Sequence, residues 1–424
     1  MRPELYVVSG FSRTVTGPPE GGHYVQMEMP VIESTMNRLR VLHVGKFYPP
    51  SRGGMEKVVQ VLCEAERAVL DSQVLVANDG PRTVRESVNG VPVTRVGVLK
   101  KVGSVAVSPT LPLWMRRLRS DVMVIHEPNP WALAAHAIAR PKGKLVVWFH
   151  AEVVRPQWRY RAFYRPFLRR VLWRADRIIV ASPPVAEYAD ELKDFRDKCV
   201  VIPYAIEPEP WPPSDDVQRR VREIRADRTD LLVLFVGRMV PYKGVDVLLR
   251  ALEQVAGARA ILVGEGPLKA TWQQLAADLG IASRVEFAGE VGQTELTALY
   301  NACDILVLPS VTRAEAFGMV QIEAMACRKP VVSTSLPSGV PWVNRDGETG
   351  IVVPPGDVGA LRDALRTLAA DPALRAQMGE RGRARVLTDF TIERMVGQTA
   401  ALYTSLVEQP VEPVLRNLEL GIRN

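Results

Sequence analysis

Two carboxylates separated by seven residues, Glu315-Ala-Phe-Gly-Met-Val-Gln-Ile-Glu323, follow directly on an apolar run, Asp304-Ile-Leu-Val-Leu-Pro309. The run reads as a buried parallel strand, and Phe317 to Cys327 reads as a helix entered through Gly318. A helix N-terminus exposes unpaired amides at the positive end of its dipole, which favours an anion beside Gly318, Met319 and Val320. Glu323 then lies roughly 7 to 9 Å further along the axis, at ~1.5 Å per residue. That separation suits a diphosphate at the helix entry and a ribose whose hydroxyls donate to the second carboxylate. The same pattern also fits a loop carboxylate at Glu315 and a solvated or capping one at Glu323, because glutamates are mostly exposed.

Cations stand at a comparable place further up the chain. Gly237-Arg-Met-Val-Pro-Tyr-Lys-Gly244 follows the apolar run Leu231 to Gly237 and precedes a helix beginning near Val245. Arg238 and Lys243 can bracket a diphosphate there, one as a planar fork and the other as a point charge; the alternative is that both only rim the helix entry. Lys46-Phe-Tyr-Pro-Pro-Ser-Arg-Gly-Gly54 opens the loop after the first strand, where Gly53 and Gly54 let main chain approach a ligand, although glycine is common in that turn of many α/β folds. His150 ends the apolar run Lys144 to His150, so its imidazole is expected at a cleft; a hydrogen-bonded structural histidine is the other reading. Gly264-Glu-Gly-Pro267 ends one more run and leads into a helix with proline in its first turn, which also fits a simple tight turn.

These elements require two α/β units. From Arg40 to Pro203, β-like runs alternate with helical patterns: Val41–Val44, Gln73–Ala77, Val122–His126, Lys144–His150, Arg177–Ala181 and Cys199–Pro203. Glu207-Pro-Glu-Pro-Trp-Pro-Pro213 interrupts them, and a second series follows: Leu231–Gly237, Ala260–Gly264, Val285–Ala288, Ile305–Leu308, Pro330–Ser333 and Ile351–Val353. The fold class expected is α/β, two Rossmann-like doubly wound domains facing a central cleft, with ligands at the strand C-termini. Residues 38–206 form the first domain, 207–390 the second, and residues 1–37 a disordered extension; an upstream start site placed too early is the alternative for that extension.

The Glu315–Glu323 segment, with Glu323-Ala-Met-Ala-Cys-Arg-Lys-Pro-Val-Val-Ser333 and Gly347-Glu-Thr-Gly-Ile-Val-Val-Pro-Pro-Gly-Asp357, resembles the retaining glycosyltransferases of family 4. Similar matches run from about Arg40 to Leu406. The resemblance implies the GT-B fold, with the last helix and tail, 391–424, packing back on the first domain. It implies that Glu315 contacts the transferred sugar, Glu323 the ribose, and Arg238 and Lys243 the leaving diphosphate. His150 would meet the donor sugar and the charge developing at its anomeric carbon. Gly53 and Gly54 become donor and acceptor contacts, Gly264 and Gly266 lie near the nucleoside, and Val291 lies near the base. Phe317, Gly318, Met319 and Val320 complete the nucleotide-sugar set.

The chain has no Asp-x-Asp, and its five histidines (His23, His43, His126, His136, His150) lack a His-x-x-x-His spacing. No metal or cofactor is therefore expected: departure of a nucleoside diphosphate needs about two negative charges stabilised, which fixed cations and helix amides can supply. No residue stands out as a nucleophile, so acceptor attack on the same face as the departing diphosphate is expected, with retention. Ser338-Gly-Val-Pro-Trp-Val-Asn344 looks like the equivalent run of some bacterial polysaccharide mannosyltransferases, which makes GDP-mannose the first donor and a UDP-hexose the second. The activity expected is transfer of a hexose to a carbohydrate or lipid-linked acceptor in polysaccharide or glycolipid synthesis. A sugar-nucleotide epimerase or phosphorylase on the same fold, or a non-catalytic sugar-nucleotide or membrane-binding protein, are the rivals.

Composition sets the remaining bounds. The 424 residues are 47% apolar, enough for two cores, and contain no apolar run long enough to span a bilayer. The first 35 residues lack the apolar segment of a secretory leader. Four dispersed cysteines, Cys63, Cys199, Cys303 and Cys327, fit reduced thiols in a cytoplasmic protein. A formal charge of +7 is compatible with anionic partners, and residues 155–177 carry eight arginines among aromatics with only Asp176 opposing them. Together with Trp114-Met-Arg-Arg-Leu-Arg119 this points to peripheral contact with an anionic membrane at the inner face. A solvated helix is the alternative, and no motif supports nucleic acid.

Overall fold

The structure, a computed structural model, describes residues 38–51, 53–102, 105–152, 164–208, 214–226 and 229–408. Most of the proline-rich segment 207–213, the arginine-rich residues 155–163 and the tail 409–424 lie outside that set, as do residues 1–37.

Two sheets organise the chain. The first has the order Cys199–Val201, Arg177–Val180, Lys144–Phe149, Val122–Glu127, Arg40–Val44, Asp71–Ala77, Val91–Val96, Val84–Val88, parallel except for the last strand. The second runs Val285–Gly289, Ala258–Val263, Leu231–Val236, Ile305–Leu308, Val331–Thr334, Gly350–Val353 and is parallel throughout. Its strands are wound in the order 3-2-1-4-5-6, so the topology reverses between Leu231–Val236 and Ile305–Leu308. Strands covered on both faces need continuous apolar runs, which is why Val122–Glu127 and Ala258–Val263 are buried along their whole length.

The strand pair Val84–Val88 and Val91–Val96 is absent from the sequence-based expectation. Its turn is Asn89-Gly90, both at positive φ (49° and 81°), the pairing that closes a two-residue hairpin. A short pair, Lys100–Val102 with Val105–Val107, was equally unforeseen.

One continuous apolar cluster joins the lobes. It contains Val41, Trp148, Tyr204 and Ile206 from the first and Leu232, Leu306, Phe317 and Ile322 from the second. Tyr204, Phe317, Trp342 and Phe390 stack edge to face through its middle. The final helix, Ile392–Glu408, packs on the first lobe's helix Gly54–Glu66, and Ile206 N–H donates to the Phe390 carbonyl where the chain crosses between lobes. Among the described residues no helix is long and apolar enough to cross a membrane.

Candidate active site

The reversal point of the second sheet brings the two best sequence candidates together. The loop leaving Leu231–Val236 carries Lys243 and the loop leaving Ile305–Leu308 carries Glu315, and Lys243 Nζ donates to Glu315 Oε2 at 2.5 Å. Ser310 Oγ donates to the same oxygen at 2.9 Å. Both members of the pair are buried, 8% exposed each. Burial works against the Lys243 ammonium, but the Glu315 charge, Tyr242 and the hydrogen bond outweigh it and raise its pKa. Arg238 in the same loop is exposed, and its charge, like that of Lys243, acts on the Tyr242 phenol.

The platform under these cations is backbone packed on backbone. Met239 N–H donates to the Glu265 carbonyl at 2.9 Å, and Gly264 N–H to the Gly289 carbonyl at 2.7 Å. Gly264 sits at φ +127°, and a Cβ there would run into the Gly237 carbonyl, so only glycine lets the two loops meet. Gly266 lies equally close to Met239, placing the sequence-predicted Gly264–Gly266 loop directly beside the cationic one.

The helix after Glu315 begins at Met319, two residues later than the sequence pattern indicates, and ends at Ala326, one residue earlier. Gly318 is its N-cap in the left-handed region (φ +76°), and a Cβ would come 2.5 Å from the Leu308 side chain. Glycine there therefore turns the chain and leaves the Met319 and Val320 amides at the helix mouth. Phe317 has its side chain 2% exposed and wedged between Tyr204 and Phe390, so its main chain is the part available to a ligand. Half-buried Glu323 accepts at Oε2 from the Tyr300 hydroxyl at 2.6 Å. Burial raises its pKa, while that bond and Lys57 oppose the rise. Lys57 belongs to the helix that begins at Gly54, so the exposed Gly53–Gly54 turn of the first lobe lies on the Glu323 side of the gap. Val291 is half-buried against the shared core.

His150 departs from expectation. It is only 6% exposed, and both ring nitrogens are engaged: Nδ1 with the Tyr204 hydroxyl at 2.6 Å and Nε2 with His126 Nδ1 at 2.9 Å. His126 Nε2 meets His43 Nδ1 at 3.0 Å, and His43 Nε2 meets Glu66 Oε2 at 2.8 Å. Burial lowers the His150 pKa to about 3 and drives that of His126 well below the ordinary value. His150 therefore does not stand free at the cleft; Tyr204 lies between it and Phe317.

Several functional candidates escaped sequence reasoning. Tyr204, Tyr300 and Ser310 belong to no recognisable local pattern. Arg313, two residues before Glu315, reaches across to the first lobe's Glu152 and Asp190. A cavity of about 20 Å³ lies at that crossing, among Phe149, Glu152, Tyr188, Arg313 and Pro337. A far larger hollow, about 1090 Å³, opens at the N-terminal ends of the first sheet's strands among Arg40, Arg119, Arg140 and Lys144, away from the Lys243–Glu315 pair.

In the arginine-rich stretch, the helix Arg165–Arg174 buries Leu168, Val171 and Leu172 and leaves Phe167 and Trp173 exposed. Tyr164, just before this helix, is in the core with its hydroxyl donating to Glu127.

Sequence comparison agrees with this architecture. The family model described as "Glycosyltransferase Family 4" matches residues 52–210, and that described as "Glycosyl transferases group 1" matches residues 216–385. The O-antigen chain mannosyltransferase C of Escherichia coli is 32% identical over 384 residues, covering 87% of this chain and 99% of the relative. The D-rhamnosyltransferase WbpZ of Pseudomonas aeruginosa is 33% identical over 357 residues, covering 83% and 92%. Among solved structures, HepE of Anabaena in complex with UDP-glucose superposes with a TM-score of 0.71 at 22% identity, over 87% of this chain and 100% of that one. With two doubly wound lobes and likeness to such enzymes over most of its length, the chain belongs to glycosyltransferase family 4, the glycosyl transferases group 1, and has the GT-B fold.

Proposed function

We propose that the protein is a retaining hexosyltransferase that needs no divalent ion and moves mannose from GDP-mannose to a carbohydrate or lipid-linked acceptor in polysaccharide or glycolipid synthesis. The observation that carries this reading is the Lys243–Glu315 pair at the reversal point of the second sheet, next to the helix mouth at Gly318. In the reaction, the acceptor hydroxyl oxygen bonds to the anomeric carbon on the face from which the diphosphate leaves. The hydroxyl proton passes to the departing diphosphate oxygen. Arg238, Lys243 and the Met319 and Val320 amides stabilise that leaving group, Glu315 holds the sugar hydroxyls, and Glu323 holds the ribose. Mannose is favoured over a UDP-hexose by the run Ser338–Asn344 and by the mannosyl- and D-rhamnosyltransferase relatives.

The acceptor side supports a cytoplasmic enzyme held peripherally at the inner membrane face. Exposed Leu113, Phe167 and Trp173 stand among Arg116, Arg117, Arg165 and Arg170, a mixture suited to an anionic lipid surface. Sedimentation with anionic vesicles but not zwitterionic ones, reduced by Trp173→Ala, is the expected result; equal partition into both sinks this part of the reading.

Transfer is tested by incubating the protein with GDP-mannose, UDP-glucose and glycan acceptors in excess chelator, following nucleoside diphosphate release and the anomeric configuration of the product. Release with a product of the donor's configuration is expected. An inverted product, or activity restored only by a divalent cation, overturns the proposed mechanism. Conversion of donor without acceptor identifies an epimerase instead, and turnover with inorganic phosphate a phosphorylase.

A further inference from the structure

A line of polar side chains runs along one face of the first sheet, from Tyr204 to Glu66. Its members are Tyr204, His150, His126, His43 and Glu66, none more than 6% exposed, with Ser72 Oγ also donating to Glu66 Oε2 at 3.1 Å. The line follows from strand register. His43 is paired with Val124, two residues before His126, and His126 is paired with Trp148, two residues before His150. Side chains two apart share a face, so the three imidazoles form a diagonal row on one side of the sheet, stacked at centroid distances of 5.3 Å and 5.2 Å.

With Glu66 ionised and the three histidines neutral, proton counting gives every bond a direction. The four contacts of the line need one proton each. Neutral histidines carry one apiece, the tyrosine hydroxyl carries one, and the Glu66 carboxylate carries none. Glu66 can only accept, so His43 donates from Nε2; its Nδ1 must then accept from His126 Nε2–H. By the same step His126 Nδ1 accepts from His150 Nε2–H, and His150 Nδ1 accepts from the Tyr204 hydroxyl. Only one assignment uses all four protons. Burial keeps the chain in this state by disfavouring charge on His126 and His150 and ionisation of Tyr204.

We infer that Glu66, His43 and His126 are positioning residues for sugar transfer: they polarise a one-way hydrogen-bond chain that locks His150 as the Nε2–H tautomer and leaves it with no proton to offer the cleft. This rests on the glycosyl-transfer reading for its kinetic consequence but not for its geometry. In that tautomer Nδ1, the ring nitrogen on the Tyr204 side, is an acceptor. A sugar hydroxyl that displaced the Tyr204 hydroxyl would therefore meet an acceptor at Nδ1, which cannot serve as a general acid toward the leaving group. Aligned bonds ending on a buried carboxylate also reinforce one another, so the Glu66 charge strengthens the acceptor character at the far end.

Two measurements test it. Nitrogen-15 spectra of the histidine-labelled full-length protein, between pH 6 and pH 8, are expected to show His43, His126 and His150 neutral and in the Nε2–H form. An Nδ1–H tautomer or an imidazolium at His150 or His126 overturns the chain whatever the enzyme's activity. Steady-state kinetics supply the second readout. Glu66→Gln, which keeps the shape but removes the charge, and His126→Phe, which keeps the stacking but cuts the line, are each expected to lower kcat at least tenfold. KM for the nucleotide sugar and affinity for the free nucleoside diphosphate should stay within twofold. Unchanged kcat in variants that bind nucleotide normally overturns the positioning role. Absence of transfer by the wild-type protein, with the predicted tautomers present, counts against the glycosyl-transfer reading and leaves the chain standing.

Discussion

Arg313 Nε lies 2.6 Å from Glu152 Oε2, an ion pair that ties the loop carrying Glu315 to the strand end carrying His150. Arg313 also reaches Asp190 Oδ2 at 3.0 Å, and Glu152 Oε1 accepts the Asp190 main-chain N–H at 3.1 Å. Glu152 is the more buried partner, with its side chain 11% exposed against 41% for Arg313. Burial, then Glu191, raise its pKa to about 7, while Arg313 pulls it down. A double-mutant cycle of Arg313→Ala and Glu152→Gln, read by denaturant unfolding at pH 8, is expected to give a coupling of about 1 kcal/mol after discounting for the exposed guanidinium. Strict additivity would show that the pair does not hold the lobes.

Removing Lys243 strips the buried Glu315 carboxylate of its cation and the proposed diphosphate site of its point charge. Lys243→Ala and Glu323→Ala are each expected to weaken nucleoside diphosphate binding by tenfold or more, measured by titration calorimetry. The losses have different origins, since Glu323 is held by Tyr300 and not by the Lys243 cluster. Unchanged affinity in both variants would remove the donor-site assignment.

Glu127 is fully buried, and burial raises its pKa from 4.5 to about 7 against the opposing hydrogen bonds from Tyr164 and the Asn129 main chain. Below about pH 4.5 the carboxyl is protonated whether folded or unfolded. As pH rises toward 7 the folded state retains its proton longer, so the stability from this group is lost as pH rises through about 7. Glu127→Gln mimics the protonated form and escapes that loss. Relative to wild type, its unfolding free energy should improve by about 2 to 3 kcal/mol between pH 5 and pH 8; a difference that does not vary with pH contradicts the raised pKa.

Gly264→Ala places a methyl against the Gly237 carbonyl at a backbone angle that only glycine tolerates easily. A loss of at least about 2 kcal/mol in stability is expected, together with weaker nucleotide binding as the Arg238 loop is displaced. Gly397→Ala, with open space around it in the final helix, is the matched control and should cost far less. Equal effects at the two positions would mean that the loops are not in tight contact.

Continuous apolar runs ending in glycine and charged loops located the main strands of both sheets, because a strand buried on both faces must be apolar along its length. The hairpin at Asn89-Gly90 was overlooked although its turn dipeptide is diagnostic: Val84–Val88 is largely exposed and carries no apolar run to attract notice. The burial of Phe317 and Tyr164 has no local signature, since an aromatic beside a functional motif looks the same in sequence whether it faces a ligand or the core.

What the sequence by itself determined was the set of strand, loop and helix units, and with them Lys243 and Glu315 in loops after strands, Gly318 at a helix entry and Glu323 within that helix. Each of these depends on a contiguous stretch whose periodicity and turn chemistry are local. Tertiary structure alone decided which loops meet. Lys243 and Glu315 are 72 residues apart and become neighbours only because the second sheet reverses its winding between their strands. The histidine row needs the register of three strands at once, and the Arg313–Glu152 bridge needs the two lobes to close. Register and lobe packing are set by the whole buried surface rather than by any short segment, so no local pattern could have announced them.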